Sequence, residues 1–207
     1  MSYFITFEGG EGVGKSTQCQ LLARRLQDML KKNVIQTREP GGTELGEALR
    51  GVLLDPNVPP MHEMSELLLM FAGRAEHLAR VIKPALANGN IVICDRFTDA
   101  SFAYQGGGRG VDIKQIAQLE NLVQGNFTPD LTFLLDLDPE IGLSRAAKRS
   151  AKDRFEQEKL QFFQRVRAAY LHRAQSETKR FCVIDANAGI EEIADRVFNR
   201  VCEKFKW

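Results

Sequence analysis

The apolar run Tyr3–Phe7 leads at once into Gly9-Gly10-Glu11-Gly12-Val13-Gly14-Lys15-Ser16-Thr17 and then into a helix-forming stretch. That order, strand then G-x-x-x-x-G-K-S then helix, is the phosphate-binding loop in the context it requires. Its glycines let the backbone turn tightly and aim N–H groups at phosphate oxygens. Lys15 can reach the β- and γ-phosphates, and the Ser16 hydroxyl can ligand Mg²⁺. The helix that begins at Lys15 or Ser16 adds its positive N-terminal end. The bland alternative is a glycine-rich turn that holds nothing, and Lys-Ser at the required positions argues against it. Residues 9–17 are therefore expected to hold the phosphates of a nucleoside triphosphate.

The rest of the chain supplies a sheet for that loop. β-rich apolar runs recur at 3–7, 33–38, 91–94, 131–137 and 181–184, with helical stretches at 16–30, 44–54, 64–87, 113–124, 139–148, 155–178 and 191–204. This alternation predicts an α/β fold, a parallel sheet with helices on both faces and right-handed crossovers. Ligands gather at the carboxyl ends of such strands. At 207 residues, with no internal repeat or linker, residues 1–207 are expected to form one domain.

With 28 basic and 27 acidic side chains there is no global field for nucleic acid or an anionic membrane, so phosphate affinity must be local. Cys19, Cys94, Cys182 and Cys202 form no C-x-x-C pair and read as reduced thiols, which favours the cytoplasm. No signal-peptide pattern and no apolar run of spanning length occurs, so no membrane is expected.

Asp95-Arg96 ends the third strand beside the loop, where the acid could hold Mg²⁺ and the arginine could clamp a phosphate. A cap and a surface charge are the alternative. Asp136 and Asp138 are rival metal acids, although Asp138 before Pro139 suits a helix N-cap better. Arg38-Glu39-Pro40-Gly41-Gly42-Thr43 follows the second strand as a shaped loop, with Arg38 over the sheet edge ready for a second anion. Phe71 and Arg74 share a helix face and could stack on and bond a nucleobase; core and surface roles are the simpler reading. Gln105, after Ser101 and Tyr104, offers the donor and acceptor that a pyrimidine needs, and Gly106–Gly110 reads as a turn. Arg145, Lys148, Arg149, Lys152 and Arg154 make a solvated face or a lid that lowers arginine onto a transferring phosphate.

Together these residues resemble the bacterial thymidylate kinase family over almost the whole chain. The resemblance rests on 7–17, Arg38–Thr43, Asp95-Arg96-Phe97, Ala103-Tyr104-Gln105-Gly106 and Asp153-Arg154-Phe155-Glu156. It implies a three-layer P-loop kinase fold, with a five-stranded parallel sheet and a small basic lid at about residues 143–155. The reaction implied is transfer of the γ-phosphate of MgATP to dTMP, giving dTDP and ADP. Lys15 and Ser16 would hold ATP and Mg²⁺, with Asp95 orienting the metal. Arg38 and Arg96 would grip the dTMP phosphate, Phe71 would stack on thymine, and Arg74 would reach its O4. Ser101, Tyr104 and Gln105 would line the base and deoxyribose pocket, and Glu11 would meet the sugar 3′-hydroxyl. Some family members carry arginine where this chain has Gly12, so the catalytic arginine is expected from the lid, with Arg149 first choice. Residues 185–187 would lie at adenine, and a cytoplasmic homodimer, using the stretch Leu67–Phe71, is implied. Remaining alternatives are a deoxynucleoside kinase or another nucleoside monophosphate kinase. A GTP switch lacks its Asn-Lys-x-Asp motif here.

Overall fold

In the computed structural model, which describes residues 2–148 and 153–207, five parallel strands form one sheet in the order β2-β3-β1-β4-β5. They are β1 (Tyr3–Glu8), β2 (Val34–Arg38), β3 (Ile91–Asp95), β4 (Leu131–Asp136) and β5 (Phe181–Asp185). The helices are α1 (Lys15–Leu30), α2 (Glu44–Leu54), α3 (Glu63–His77), α4 (Lys83–Ala87), α5 (Thr98–Ser101), α6 (Ile113–Gln124), α7 (Pro139–Ala147), α8 (Leu160–Ser176) and α9 (Ile190–Phe205).

Strand alternation divides the core between two layers of helix. Ile5, Phe7, Ile91, Ile93, Leu131, Phe133 and Leu135 point to one face and pack on Leu22 and Leu26 of α1 and Val197 and Val201 of α9. Phe4, Val92 and Cys94 point the other way, against Leu78, Ile82 and Phe97. Leu134 on that same face meets Phe162, Phe163, Val166 and Tyr170 of the α8 layer. Thr6 and Thr132 share a hydrogen bond of 2.8 Å there, which satisfies two buried hydroxyls. At the chain's end, Tyr3 stacks on Phe205 with ring centroids 3.9 Å apart, and Trp207 closes on both rings.

Three stretches depart from the sequence reading. Residues 98–108, expected to end in a flexible glycine turn, form α5 and then a π-wound stretch, Phe102–Gly108. The glycines there permit close approach rather than turning. A Cβ on Gly107 would fall 2.6 Å from that of Ala169, and one on Gly108 2.4 Å from the Phe162 ring. The helix expected from 155 starts at Leu160, because Asp153 Oδ1 accepts from the N–H groups of Phe155 and Glu156 and holds a turn. Likewise the single helix expected over 64–87 is α3 and α4 joined by π-wound Leu78–Ile82. Among the described residues, no helix is long and apolar enough to cross a membrane.

Candidate active site

β1 lies between β3 and β4, so the loops leaving β1 and β3 meet at the sheet's carboxyl edge. The loop after β1 is shaped by what glycine alone allows. Gly9, Gly12 and Gly14 have φ of +136°, +67° and +94°. A Cβ on Gly12 would lie 2.0 Å from the Gly142 carbonyl oxygen of α7, so position 12 has no room for an arginine side chain. Val13 is buried and anchors the loop in the core, while Thr17 is exposed on the first turn of α1.

The charged groups of this edge bond to one another. Lys15 Nζ donates to the Gly10 carbonyl at 2.7 Å and to Gly9 at 3.3 Å. Burial, then the charge of Arg96, lowers its pKa. Ser16 Oγ donates to Asp95 Oδ2 at 2.6 Å, so the two expected metal groups are neighbours. Arg96 has φ of +68°, which a non-glycine residue holds only where the surroundings impose it. Its guanidinium donates to Glu11 Oε1 at 2.6 Å, to Gly9 O at 2.8 Å and to the Tyr104 hydroxyl at 2.9 Å. Burial pulls that guanidinium down, but the charge of Glu11 together with Tyr104, Tyr170 and Asp95 more than offsets it and holds it well above the usual value.

Arg38 donates to Glu47 at 2.8 Å, and Arg50 donates to the Pro40 carbonyl at 2.9 Å. Burial and the like charge of Arg38 lower the Arg50 pKa, a strain that an anion between them would relieve. Lys15, Ser16, Arg38, Arg50, Asp95 and Arg96 all line one hollow.

That hollow adjoins a second cleft, with about 600 Å³ of empty space, which runs from Glu11, Arg50 and Arg96 to Arg74, Ser101 and Gln105. Arg74 is 2% exposed at its far end. Its Nε donates to Glu39 at 2.7 Å, and its Nη2 donates to Ser101 Oγ at 3.1 Å and to the Phe97 carbonyl at 3.3 Å. Its Nη1 is buried and, among the described residues, has no partner. His77, wholly buried, ties the other Glu39 oxygen to Thr37. Tyr104 donates to Glu11 at 2.7 Å, with Phe155, Phe162 and Tyr170 set edge-on to its ring.

Phe71 is the expected base-stacking residue that the structure turns away. It is 2% exposed, sits in a core of Leu67, Phe102 and Ile116, and carries the Arg74 guanidinium 4.5 Å above its ring. The preceding residue, Met70, lines the cleft instead. A one-residue step on a helix is about 100°, enough to exchange cleft for core. Arg149 lies outside the described residues. On either side of it, Arg145 donates to the Ala186 carbonyl at 3.1 Å, in the loop expected at adenine, and Arg154 donates to Leu53 O and to Glu66. Asp136 is bound on both oxygens by Arg167, and Asp138 caps α7 through the Glu140 N–H. Sequence reasoning missed Arg50, Met70 and Glu66. Arg50 had a signal: it lies three residues after Glu47, on the same face of α2.

Comparison with known proteins agrees with this geometry. The family model for thymidylate kinase matches residues 7–197. Thymidylate kinase from Pseudomonas entomophila (strain L48) is 52% identical over 204 residues, covering 97% of each chain. That from Ectopseudomonas mendocina (strain ymp) is 55% identical over 190 residues, 92% of this chain and 90% of the relative. The crystal structure of thymidylate kinase from Ehrlichia chaffeensis superposes with a TM-score of 0.81 at 37% identity, covering 97% of this chain and 98% of that one. A P-loop hollow joined to a cleft lined by a buried guanidinium, in a chain so matched, leads to one conclusion: the chain belongs to the thymidylate kinase family and transfers the γ-phosphate of ATP to dTMP.

Proposed function

We propose that dTMP occupies the cleft with thymine against Arg74, Ser101 and Gln105 and its phosphate between Arg38, Arg50 and Arg96. The observation that carries this reading is the buried Arg74 Nη1, a donor awaiting a carbonyl oxygen such as thymine O4. At the other end, Arg50 and Arg38 form a like-charged pair suited to an anion. Tyr104 and Glu11 lie between, where Glu11 accepts from the sugar 3′-hydroxyl and Tyr104 packs on the deoxyribose. Met70, in place of Phe71, covers a face of the base.

The phosphates of ATP lie along residues 9–17, held by loop N–H groups and Lys15, which leaves its carbonyl partners for them. Ser16 and Asp95 fit Mg²⁺: both offer oxygen, and a site of one or two protein oxygens completed by phosphates and water is the usual Mg²⁺ arrangement. When bound, the ion would supply charge neutralisation on the phosphates. The acceptor oxygen of dTMP is already anionic, so the transfer needs no strong general base. Lys15 and Arg96 align and neutralise the reacting groups, and Arg149, carried by a lid at about residues 143–155, supplies the charge that Gly12 cannot. The lid also keeps water from competing with dTMP.

A homodimer in the cytoplasm completes the reading. Leu45 and Val52, seven residues apart on one face of α2, and Leu68 of α3 are about half exposed, whereas Leu67 and Phe71 of the same stretch are buried. The four cysteines are unpaired, as a reducing compartment requires. The test is ADP release with MgATP and, in turn, dTMP, dUMP, dCMP, dGMP and thymidine. Turnover confined to the thymine and uracil monophosphates is expected. Turnover with thymidine but not dTMP would remove Arg38, Arg50 and Arg96 as phosphate clamps.

A further inference from the structure

We infer that Glu66 is a positioning residue that fixes the polarity of the base cleft, forcing Gln105 to present its carbonyl oxygen to the pyrimidine. Glu66 lies on the first turns of α3 and is 1% exposed. Its Oε1 accepts from Gln105 Nε2 at 2.8 Å, and its Oε2 accepts from Arg154 Nη2 at 2.6 Å. Arg109 approaches both oxygens at 3.4 Å. A side-chain amide can turn either end to its neighbour, but a carboxylate offers only acceptors. Two guanidiniums hold that carboxylate, so Gln105 must give it the NH₂ end. The oxygen of Gln105 is left for the cleft that the residue lines.

This deepens the placement of thymine against Arg74 and Gln105 and rests on it. Thymine shows an N–H at N3 and an oxygen at C4; cytosine shows a bare nitrogen at N3 and an amino group at C4. Arg74 Nη1 is a donor and suits the C4 oxygen. An acceptor at Gln105 suits the N3–H and leaves the N3 of cytosine facing another lone pair. Selection against cytosine therefore has two parts, and the second is set from Glu66, which need not touch the base. The same carboxylate anchors Arg154, whose own backbone N–H donates to Leu54 at the end of α2.

Glu66→Gln gives a directional test. Arg154 and Arg109 would claim the carbonyl oxygen of the new amide, turning its NH₂ toward Gln105. Gln105 would then flip and present NH₂ to the cleft. The measurement is kcat/KM for dTMP and for dCMP in the wild type, Glu66→Gln and Gln105→Leu. The dTMP-to-dCMP ratio is expected to fall about tenfold or more in Glu66→Gln, since a hydrogen bond is lost by one base and gained by the other. Any loss acting through Arg154 strikes both substrates alike and cancels from the ratio. An unchanged ratio in Glu66→Gln, with a lowered one in Gln105→Leu, would overturn the role of Glu66 while leaving the base where it is proposed. An unchanged ratio in both would remove Gln105 from the base and the inference with it. Should Glu66→Gln fail to fold, the wild type decides by NMR. The Gln105 side-chain amide protons are expected to resist solvent exchange with and without dTMP, and free exchange in the ligand-free enzyme would overturn the inference.

Discussion

At the phosphate end of the cleft, Arg38 is half exposed and rests on Glu47, while Lys15 and Arg96 donate to loop carbonyls and to Glu11. At the proposed base end, Arg74, Glu39 and His77 are buried and satisfy one another, apart from the single Arg74 nitrogen that has no partner among the described residues. The first end consists of charges whose present partners are loop carbonyls and carboxylates, which phosphate oxygens would replace in the proposed binding mode. The second is a finished polar network with one vacancy. Charges that exchange partners can follow a phosphate through transfer, whereas a base must be recognised identically each time. Preorganisation costs nothing at the moment of binding, so a fixed network suits recognition.

The largest predicted effect separates chemistry from folding at the phosphate end. Lys15→Ala should lower kcat by about 10³-fold or more, since in the proposed mechanism its charge serves the transferring phosphate. Its present bonds are to two loop carbonyls that water can satisfy, so the melting temperature should hold within a few degrees. ADP-release kinetics beside a thermal melt check both halves. Turnover near the wild-type rate in a folded variant would break the assignment of Lys15, and a large drop in melting temperature would show this end to be as structural as the other.

The two ends were also unequally legible in the sequence. The phosphate loop, Arg38 and Asp95-Arg96 follow strands directly, and strand ends fix their position in a parallel sheet. The five strands and most helices could be read from period and punctuation for the same local reason. The base end depends on which way helices face and how closely they pack. Phe71 and Met70 differ by one step around α3; spacing alone favours Phe71 in the core, where it lies, and only the resemblance put it at the base. Gly107 and Gly108 read as part of a turn because their close neighbours, Ala169 and Phe162, lie some 60 residues away in the chain. Glu66 carried no motif at all; its meaning comes from Gln105 and Arg154, which only the fold brings together.

A matched pair of arginine variants sharpens the comparison. Arg74→Ala strips a guanidinium from the buried Glu39 carboxylate and should cost about 3–5 kcal/mol of stability, as removal of one partner of a buried pair does. Arg38→Ala removes a surface partner of Glu47 and should cost at most about 1 kcal/mol. Both should raise KM for dTMP. Urea denaturation beside dTMP kinetics separates the cases. Equal stability costs would mean that the base end is not the rigid half described here.

Glu8 links the two ends, and its effect shows only in how stability changes with pH. It is wholly buried at the end of β1, where its Oε1 accepts from the Phe97 N–H at 2.7 Å and its Oε2 accepts from Tyr170 at 2.8 Å. Tyr170 in turn meets Arg96, so this carboxyl touches the wall of the base cleft and, through one hydroxyl, the phosphate clamp. Burial first, and then the charge of Asp99, push its pKa up from 4.5 to about 8, against the pull of Tyr170 and Arg96. Between those values the folded chain keeps a proton that the unfolded chain has lost. The stability this contributes is complete below about pH 4.5 and drains as the pH rises toward 8. Asp99, lowered despite its burial by the Arg180 and Arg173 guanidiniums, works in the opposite sense: its contribution is lost only in acid, below the window in question. The melting temperature should therefore decline by about ten degrees between about pH 5 and pH 8, and Glu8→Gln, which mimics the protonated form, should flatten that decline. Melts at constant ionic strength decide it. If the slope is the same in both proteins, Glu8 is ionised in the folded state and belongs, with Glu11, to the charges that balance Arg96 at the phosphate end.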